Sequence, residues 1–476
     1  MTSDKSVIRY DHRDNVINLS GIRRQNAPYL VVWILYYAWV VAYATWWTAS
    51  PISDSVSDAQ LRSLMHAVNL LSSAAFVLII RRQKFVTTAR IFAALIVLCM
   101  AAYYLIPSDS TSAAAAVLGS VAIGCFNISI LIPFVFMLNN TEKLYAVVSS
   151  NLLIQLISLL NEHSIPGLAE PIISFALLLF SLGAVLFFRK KAGITDPIPE
   201  NIIKPAINRR VYLSLLFNCA IAILCKGAGK GILNITAADF GSPVITGYYL
   251  GGLAGCIVYV LMYAFTKKAY IWLGNVTFAT ITIALLCNAF IRQAPELAVP
   301  FSVLLGVGTT VGMINMYYII GVIGKKYDSM RYVRISILSV GLFGGITGIF
   351  VGNWIDRAGT YEISVSASVL AAVVMLAFMF VSPVMERADY VNDWGLDSGR
   401  KEVGGGYTAL FRVYGLSKRE AEVCELLLQG FTLRQISAIL PISYSTVNTY
   451  CTSAYRKLHI NSRTELVIKF KDYLLK

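Results

Sequence analysis

Residues 416–466 read LSKREAEVCELLLQGFTLRQISAILPISYSTVNTYCTSAYRKLHINSRTEL, and this stretch is dense in helix punctuation. Ser417 followed three residues later by Glu420 is a capping box, in which hydroxyl and carboxylate each take a backbone amide left free at a helix start. Thr432 with Gln435 and Ser462 with Glu465 repeat it. Ser443 supplies a fourth N-cap, and Gly430 stands where a helix end favours left-handed backbone. The spacing predicts helices over 418–429, 433–440, 444–458 and 463–475. Val423, Leu426, Leu427, Ile436, Ile439, Leu440, Val447 and Leu458 recur at helical spacing and supply a small core. A short helix, the turn Pro441-Ile442-Ser443 and a longer helix make a helix-turn-helix. Proline fixes its own φ and lacks an N–H, which a turn tolerates. The segment 412–476 is basic, with a net charge of +5.

The same residues resemble the LuxR-type DNA-binding domain: LSKREAEVCELLLQG, the QIS of the second helix, ISYSTVNTY and RKLHINSRTEL stand in family order and spacing. The resemblance implies that the third helix enters the major groove of double-stranded DNA, with Ser445, Thr446, Asn448, Thr449, Tyr450 and Thr452 on or beside its exposed face. Asn448 stands where the family usually has Lys, and Tyr450 where it usually has His. These departures leave the operator sequence open, because Asn pairs bidentately with adenine. Arg434, Arg456, Lys457 and Arg463 are candidate phosphate contacts, which position without specifying. The resemblance also implies a homodimer on a two-fold operator through the fourth helix, where Leu466, Phe470 and Tyr473 form the expected dimerisation surface.

Upstream, residues 384–411 are polar and contain Gly404-Gly405-Gly406, which reads as a flexible linker. Before it the chain changes solvent. Only 14% of the 476 residues are charged while 57% are hydrophobic, too few charges to cover a soluble protein of this size. An ordinary globular enzyme is excluded. Apolar windows predict twelve spans at about 29–48, 61–80, 88–106, 113–138, 142–161, 168–188, 211–235, 244–265, 270–291, 297–323, 332–354 and 361–382. Seventeen lysines and arginines lie in or beside the even-numbered loops, against Arg62, Arg292 and Arg357 on the other side. By the positive-inside rule both termini are cytoplasmic. The organisation expected is a tail over 1–27, six helices over 28–188, a loop over 189–210, six more over 211–383, the linker over 384–411 and the DNA-binding domain over 412–476. The net charge of +14 suits an anionic bilayer face and nucleic acid alike.

Two sets of six spans joined by the longest internal loop resemble the major facilitator superfamily. So do the texture of FNCAIAILCKGAGKGILNITAADFGSPVITGYYLGGLAG and the run Gly345, Gly348, Gly352, Asp356, Arg357, Gly359 at the end of span 11. The fold class expected is therefore all-α: a transmembrane bundle of two six-helix halves followed by a four-helix helix-turn-helix domain. The chain departs from that family between spans 2 and 3, where it reads IIRRQKFVTTAR in place of an acidic, glycine-containing signature. No Asp or Glu lies near the middle of a span, which argues against proton-coupled transport.

Polar groups at membrane depth mark candidate ligand contacts. Lys226 and Lys230 are four residues apart on one helix face and suit an anion; the alternative is that both ammoniums reach out to the outer membrane interface. Tyr36 and Tyr43, seven apart, are candidates to line a pocket, as is Asn315. His66, Asn69, Asn127 and Gln155 are further candidates, and for each of them and for Asn315 an interhelical hydrogen bond is the simpler role. Six of the eight cysteines lie in apolar stretches and none forms a CxxC, so buried reduced thiols are expected. No catalytic constellation, metal site or cofactor is expected. The function expected is a membrane-bound one-component transcription regulator that senses a small-molecule effector, with RNA polymerase as a further candidate partner. The alternative is a facilitative transporter carrying a regulatory DNA-binding domain.

Overall fold

A computed structural model describes residues 22–42, 58–106, 109–162, 169–189, 209–265, 269–327, 329–356, 364–376, 411, 414–428, 431–440 and 442–474. The expected linker up to residue 410, Tyr43, Gly430 and Pro441 lie outside them, as does most of the 189–210 loop. The chain forms two compact units, and the described residues of each are helical.

The larger unit runs through α1 (Ala27–Ala42), α2 (Asp58–Ile79), α3 (Phe85–Leu105), α4 (Asp109–Phe136), α5 (Asn140–Glu162), α6 (Ala169–Ala184), α7 (Arg209–Phe240), α8 (Ser242–Phe265), α9 (Ala269–Ala289) and α10 (Ala298–Lys326). A span follows that starts as α11 (Met330–Ser336), loosens into a π-helix over Ile337–Gly344 and ends as α12 (Gly345–Asp356). The last helix of the unit is α13 (Ser364–Leu376). Every expected span carries a helix, and seven of the spans are long and apolar enough to cross a bilayer. Large apolar side chains point outward, among them Phe343 at 70% and Trp354 at 65% exposure. Such a surface is stable only against lipid.

Inside, helices close on one another through glycine. A Cβ added at Gly231 would lie 2.5 Å from the Gly352 carbonyl oxygen, and one at Gly227 would collide with Gly348. Gly227 and Gly231 on α7 thus mesh with Gly348 and Gly352 on α12, a small-xxx-small pairing that brings backbones together where lipid gives no hydrophobic drive. The lysine pair at 226 and 230 flanks this seam. Gly251 on α8 meets the Val303 carbonyl of α10 in the same way.

The two halves are also bonded to each other at one end. Lys143, fully buried at the start of α5, donates from Nζ to the Gly321 carbonyl of α10 at 2.9 Å. Lys325 of α10 returns a bond to the Leu138 carbonyl at 2.8 Å. Beside them, buried Glu142 accepts from Arg23 N, Asn26 Nδ2 and Asn139 N at 2.7–2.8 Å.

The smaller unit contains α14 (Lys418–Leu428), α15 (Leu433–Ile439), α16 (Tyr444–Leu458) and α17 (Arg463–Leu474). All lie within a residue of the helices read from the sequence. Ser417 and Glu420 exchange backbone bonds, and Thr432 and Gln435 form the second capping box. The third pair differs. Ser462 caps Glu465 N, but the Glu465 carboxylate reaches back to Asn461 N instead of Ser462 N. The core holds the expected Val423, Leu427, Ile436, Val447 and Leu458 and adds Cys424, Cys451, Ala454, Leu466 and Phe470. Phe411, expected at the end of the linker, is fully buried here with its ring 5.2 Å from Phe470.

Candidate nucleic-acid interface

The third helix of the small unit, α16, has two faces. Val447, Cys451, Ala454 and Leu458 are buried at helical spacing, while Ser445, Asn448, Thr449, Thr452 and Arg456 are exposed on the opposite side. Thr446 and Tyr450 flank that side at intermediate exposure. Ser443 caps the helix by accepting from Thr446 N at 3.1 Å, and its hydroxyl also meets those of Ser445 and Thr446. Thr449 and Thr452 each donate a hydroxyl proton to the carbonyl four residues back, Ser445 O and Asn448 O, at 2.9 Å. At its far end His459 closes the helix in the left-handed region (φ 53°, ψ 49°).

Glu420 holds this helix at its angle. It is buried on α14, and its Oε1 accepts from Ser453 Oγ at 2.6 Å while Oε2 accepts from Lys457 Nζ at 2.7 Å and Ser417 N at 2.6 Å. Burial alone would raise the carboxyl, but the bonds from Lys457, Ser453 and Ser417 outweigh it and hold the group at about 2. Lys457, expected on DNA phosphate, therefore has its ammonium engaged inside the domain. Arg434 and Arg456 are exposed, and Arg463 is half-buried. Burial pushes the Cys424 thiol up to about 12, with Cys451 and Glu420 adding to the effect, so it stays protonated and inert.

The expected dimerisation surface needs correction. Leu466 and Phe470 are fully buried in the core of the domain, and the rings of Phe411 and Tyr414 pack against Phe470. Phe411, which the domain boundary at 412 excludes, supplies part of the cover over α17. The Tyr473 side chain lies outside the described residues.

In the membrane unit, Tyr36 is also reassigned: it is fully buried, its hydroxyl donates to Ile123 O at 3.4 Å, and its ring packs edge-on against Phe126. Its neighbour Tyr37 is half-buried and pairs with Tyr317 of α10 at 5.5 Å between ring centroids. The α1 stripe at 33, 36 and 37 does not reveal which member meets the other half. Lys226 is half-buried and Lys230 exposed. Asn315 lines a cavity of about 30 Å³ with Asn218, Cys219 and Thr277, and its Oδ1 is buried without a partner. That volume suits one or two waters. Asn127 donates to Asn69 at 3.2 Å and Gln155 to Thr310 at 3.2 Å, the interhelical bonds expected.

Among the described residues, a helix-turn-helix with a polar outward recognition face shares one chain with a helical, lipid-facing unit, which makes this a membrane protein that carries a helix-turn-helix domain of DNA-binding type. Residues 415–470 match the family described as bacterial regulatory proteins, luxR family. The spore germination protein GerE of Bacillus subtilis (strain 168) is 41% identical over 54 residues, 11% of this chain and 73% of its own. A putative HTH-type transcriptional regulator in the exeN 3' region of Aeromonas salmonicida is 42% identical over 60 residues, 13% of this chain. The chain spans about a third of that relative's length, 31%. Through its C-terminal domain the chain belongs to the luxR family of bacterial regulatory proteins. FucP, a major facilitator superfamily transporter solved in the outward conformation, superposes at TM-score 0.54 over 76% of this chain and 99% of its own, at 11% identity. That likeness establishes the fold of the multi-pass membrane unit.

Proposed function

We propose that the chain is a one-component transcription regulator of the cytoplasmic membrane, in which the major-facilitator-like unit binds a small molecule and sets the DNA-binding competence of the C-terminal domain. The observation that carries the reading is covalent: a polar recognition face and a lipid-facing helical unit belong to one chain. The seventeen-to-three asymmetry of loop charges supports placing both termini in the cytoplasm, on the side of the chromosome.

Ser445, Asn448, Thr449 and Thr452 face base edges in this reading, with Thr446 and Tyr450 beside them. Arg434, Arg456 and Arg463 take phosphates. Two copies meet on a two-fold operator through surface of α17 other than Leu466 and Phe470. Lys226 and Lys230 hold an anionic effector. A second reading, facilitated transport regulated by DNA binding, draws support from the transporter fold alone.

Transcript profiles with and without the chain, alongside uptake of labelled anions into vesicles, separate the two. Transcript changes without uptake support regulation; uptake without transcript changes overturns it. Replacing both Lys226 and Lys230 by Gln is expected to abolish the response to effector while sparing protein level and DNA binding. An unchanged dose response removes the anion site.

A further inference from the structure

The outward face of α16 carries no charge before Arg456. Before Arg456 its exposed members are Tyr444 at the first position, then Ser445, Asn448, Thr449 and Thr452. Two of these are already committed, since Thr449 Oγ1 donates to Ser445 O and Thr452 Oγ1 to Asn448 O, both at 2.9 Å. A threonine hydroxyl has one proton. With that proton held by the carbonyl one turn back, each threonine offers the groove a methyl group and an oxygen lone pair, and no donor. Asn448 differs: its exposed amide presents both a donor and an acceptor.

In the major groove thymine alone carries a methyl group, and adenine alone matches a side-chain amide bidentately through N6 and N7. Guanine presents two acceptors, which threonines without a free proton cannot satisfy. We infer that the recognition helix reads A·T pairs at the centre of each half-site, adenine through Asn448 and thymine C5-methyl groups through Thr449 and Thr452. The inference rests on the proposed seating of α16 in the major groove. Cytosine, whose amino group suits a hydroxyl lone pair, is the rival outcome.

The experiment is selection of random duplexes on the full chain in lipid nanodiscs, followed by replacement of each selected thymine with deoxyuridine, which removes only the methyl. The selected half-site is expected to contain adenine and thymine at its centre. Each methyl lost is expected to weaken binding about fourfold, the equivalent of one buried methylene. Thr449→Ser and Thr452→Ser, which keep the hydroxyl, are expected to abolish sensitivity to deoxyuridine; Thr449→Val and Thr452→Val, which keep the methyl, are expected to preserve it. A G·C-centred site, or deoxyuridine without effect on the unaltered protein, overturns the inference. So does full sensitivity in both serine variants. Because the deoxyuridine arm alters only the DNA, a variant that misfolds leaves the test intact. Failure to select any duplex overturns instead the seating of α16 in the groove.

Discussion

Glu420 is the residue on which the small domain turns. Its carboxylate ties the start of α14 to the last two turns of α16 through Ser453 and Lys457. The folded carboxyl titrates near 2 against an ordinary value near 4.5. A depressed folded value means that the stabilisation is complete above the ordinary value and is lost as pH falls from about 4.5 towards 2. Its size is on the order of 2 kcal/mol after allowance for solvent screening of Lys457. Urea unfolding of fragment 407–476 at pH 7 and pH 3 checks it, and Glu420→Gln is expected to remove most of the acid dependence. Lys457→Ala is expected to destabilise the fold as well as any DNA complex, because it leaves a buried carboxylate short of a partner. His459 gives a second residue-scale expectation. It holds a left-handed backbone at a helix end (φ 53°) where glycine has no Cβ penalty, so His459→Gly is expected to stabilise the fragment by about 1 kcal/mol. A lower midpoint in urea would contradict that.

Between elements, the decisive contact is the glycine seam of α7 and α12. Gly227 has backbone of Gly348 where a side chain would go, and Gly352 lies equally close to the Gly227 carbonyl, with 2.6 Å to an added Cβ. Neither helix has a flexible side chain there to move aside. Gly227→Val is therefore expected to force the helices apart at roughly 1–3 kcal/mol. Gly183, with open space around an added Cβ, is the control, and Gly183→Ala is expected to be silent. Thermal unfolding of the detergent-solubilised chain distinguishes them. The π-helical turn Ile337–Gly344 lies directly before this seam, and Gly344 packs against Ala220 of α7. A looser helix there changes the angular phase between Arg334, which donates to Val77 O at 3.1 Å, and the glycines that follow.

At the scale of the whole membrane unit, two lysines join the halves in opposite directions, Lys143 to Gly321 O and Lys325 to Leu138 O. Removing both ammoniums takes from each carbonyl a bond to a charged donor, at roughly 1.5–3 kcal/mol each. Lys143→Met with Lys325→Met is expected to raise hydrogen exchange at 138–143 and 321–326, and unchanged exchange would mean that other contacts hold this end closed. Reporter fusions after residues 85, 195 and 390 are expected to read cytoplasm, and one after residue 54 the exterior. An exterior C-terminus would end the regulatory reading.

Helix positions, caps and membrane class were legible because each depends on residues within a few positions of one another. Ser417 finds Glu420 three residues on, and apolar periodicity marks which angle of α16 turns inward. Charge asymmetry acts loop by loop and needs no fold. Partner choice is different in kind. Lys457 is 37 residues from Glu420, Lys143 is 178 from Gly321, and neither spacing leaves a local trace. Periodicity shows that Leu466 and Phe470 share an apolar face, but only packing shows that Phe411 covers it. The same holds for Tyr36 and Tyr37, where burial against Phe126 decides which ring meets the other half. The amino-acid sequence by itself determined the two units and their helices, because hydrophobic period and capping are local. Tertiary structure alone decided which charges and rings are spent on the interior, because those bonds join segments that only folding brings together.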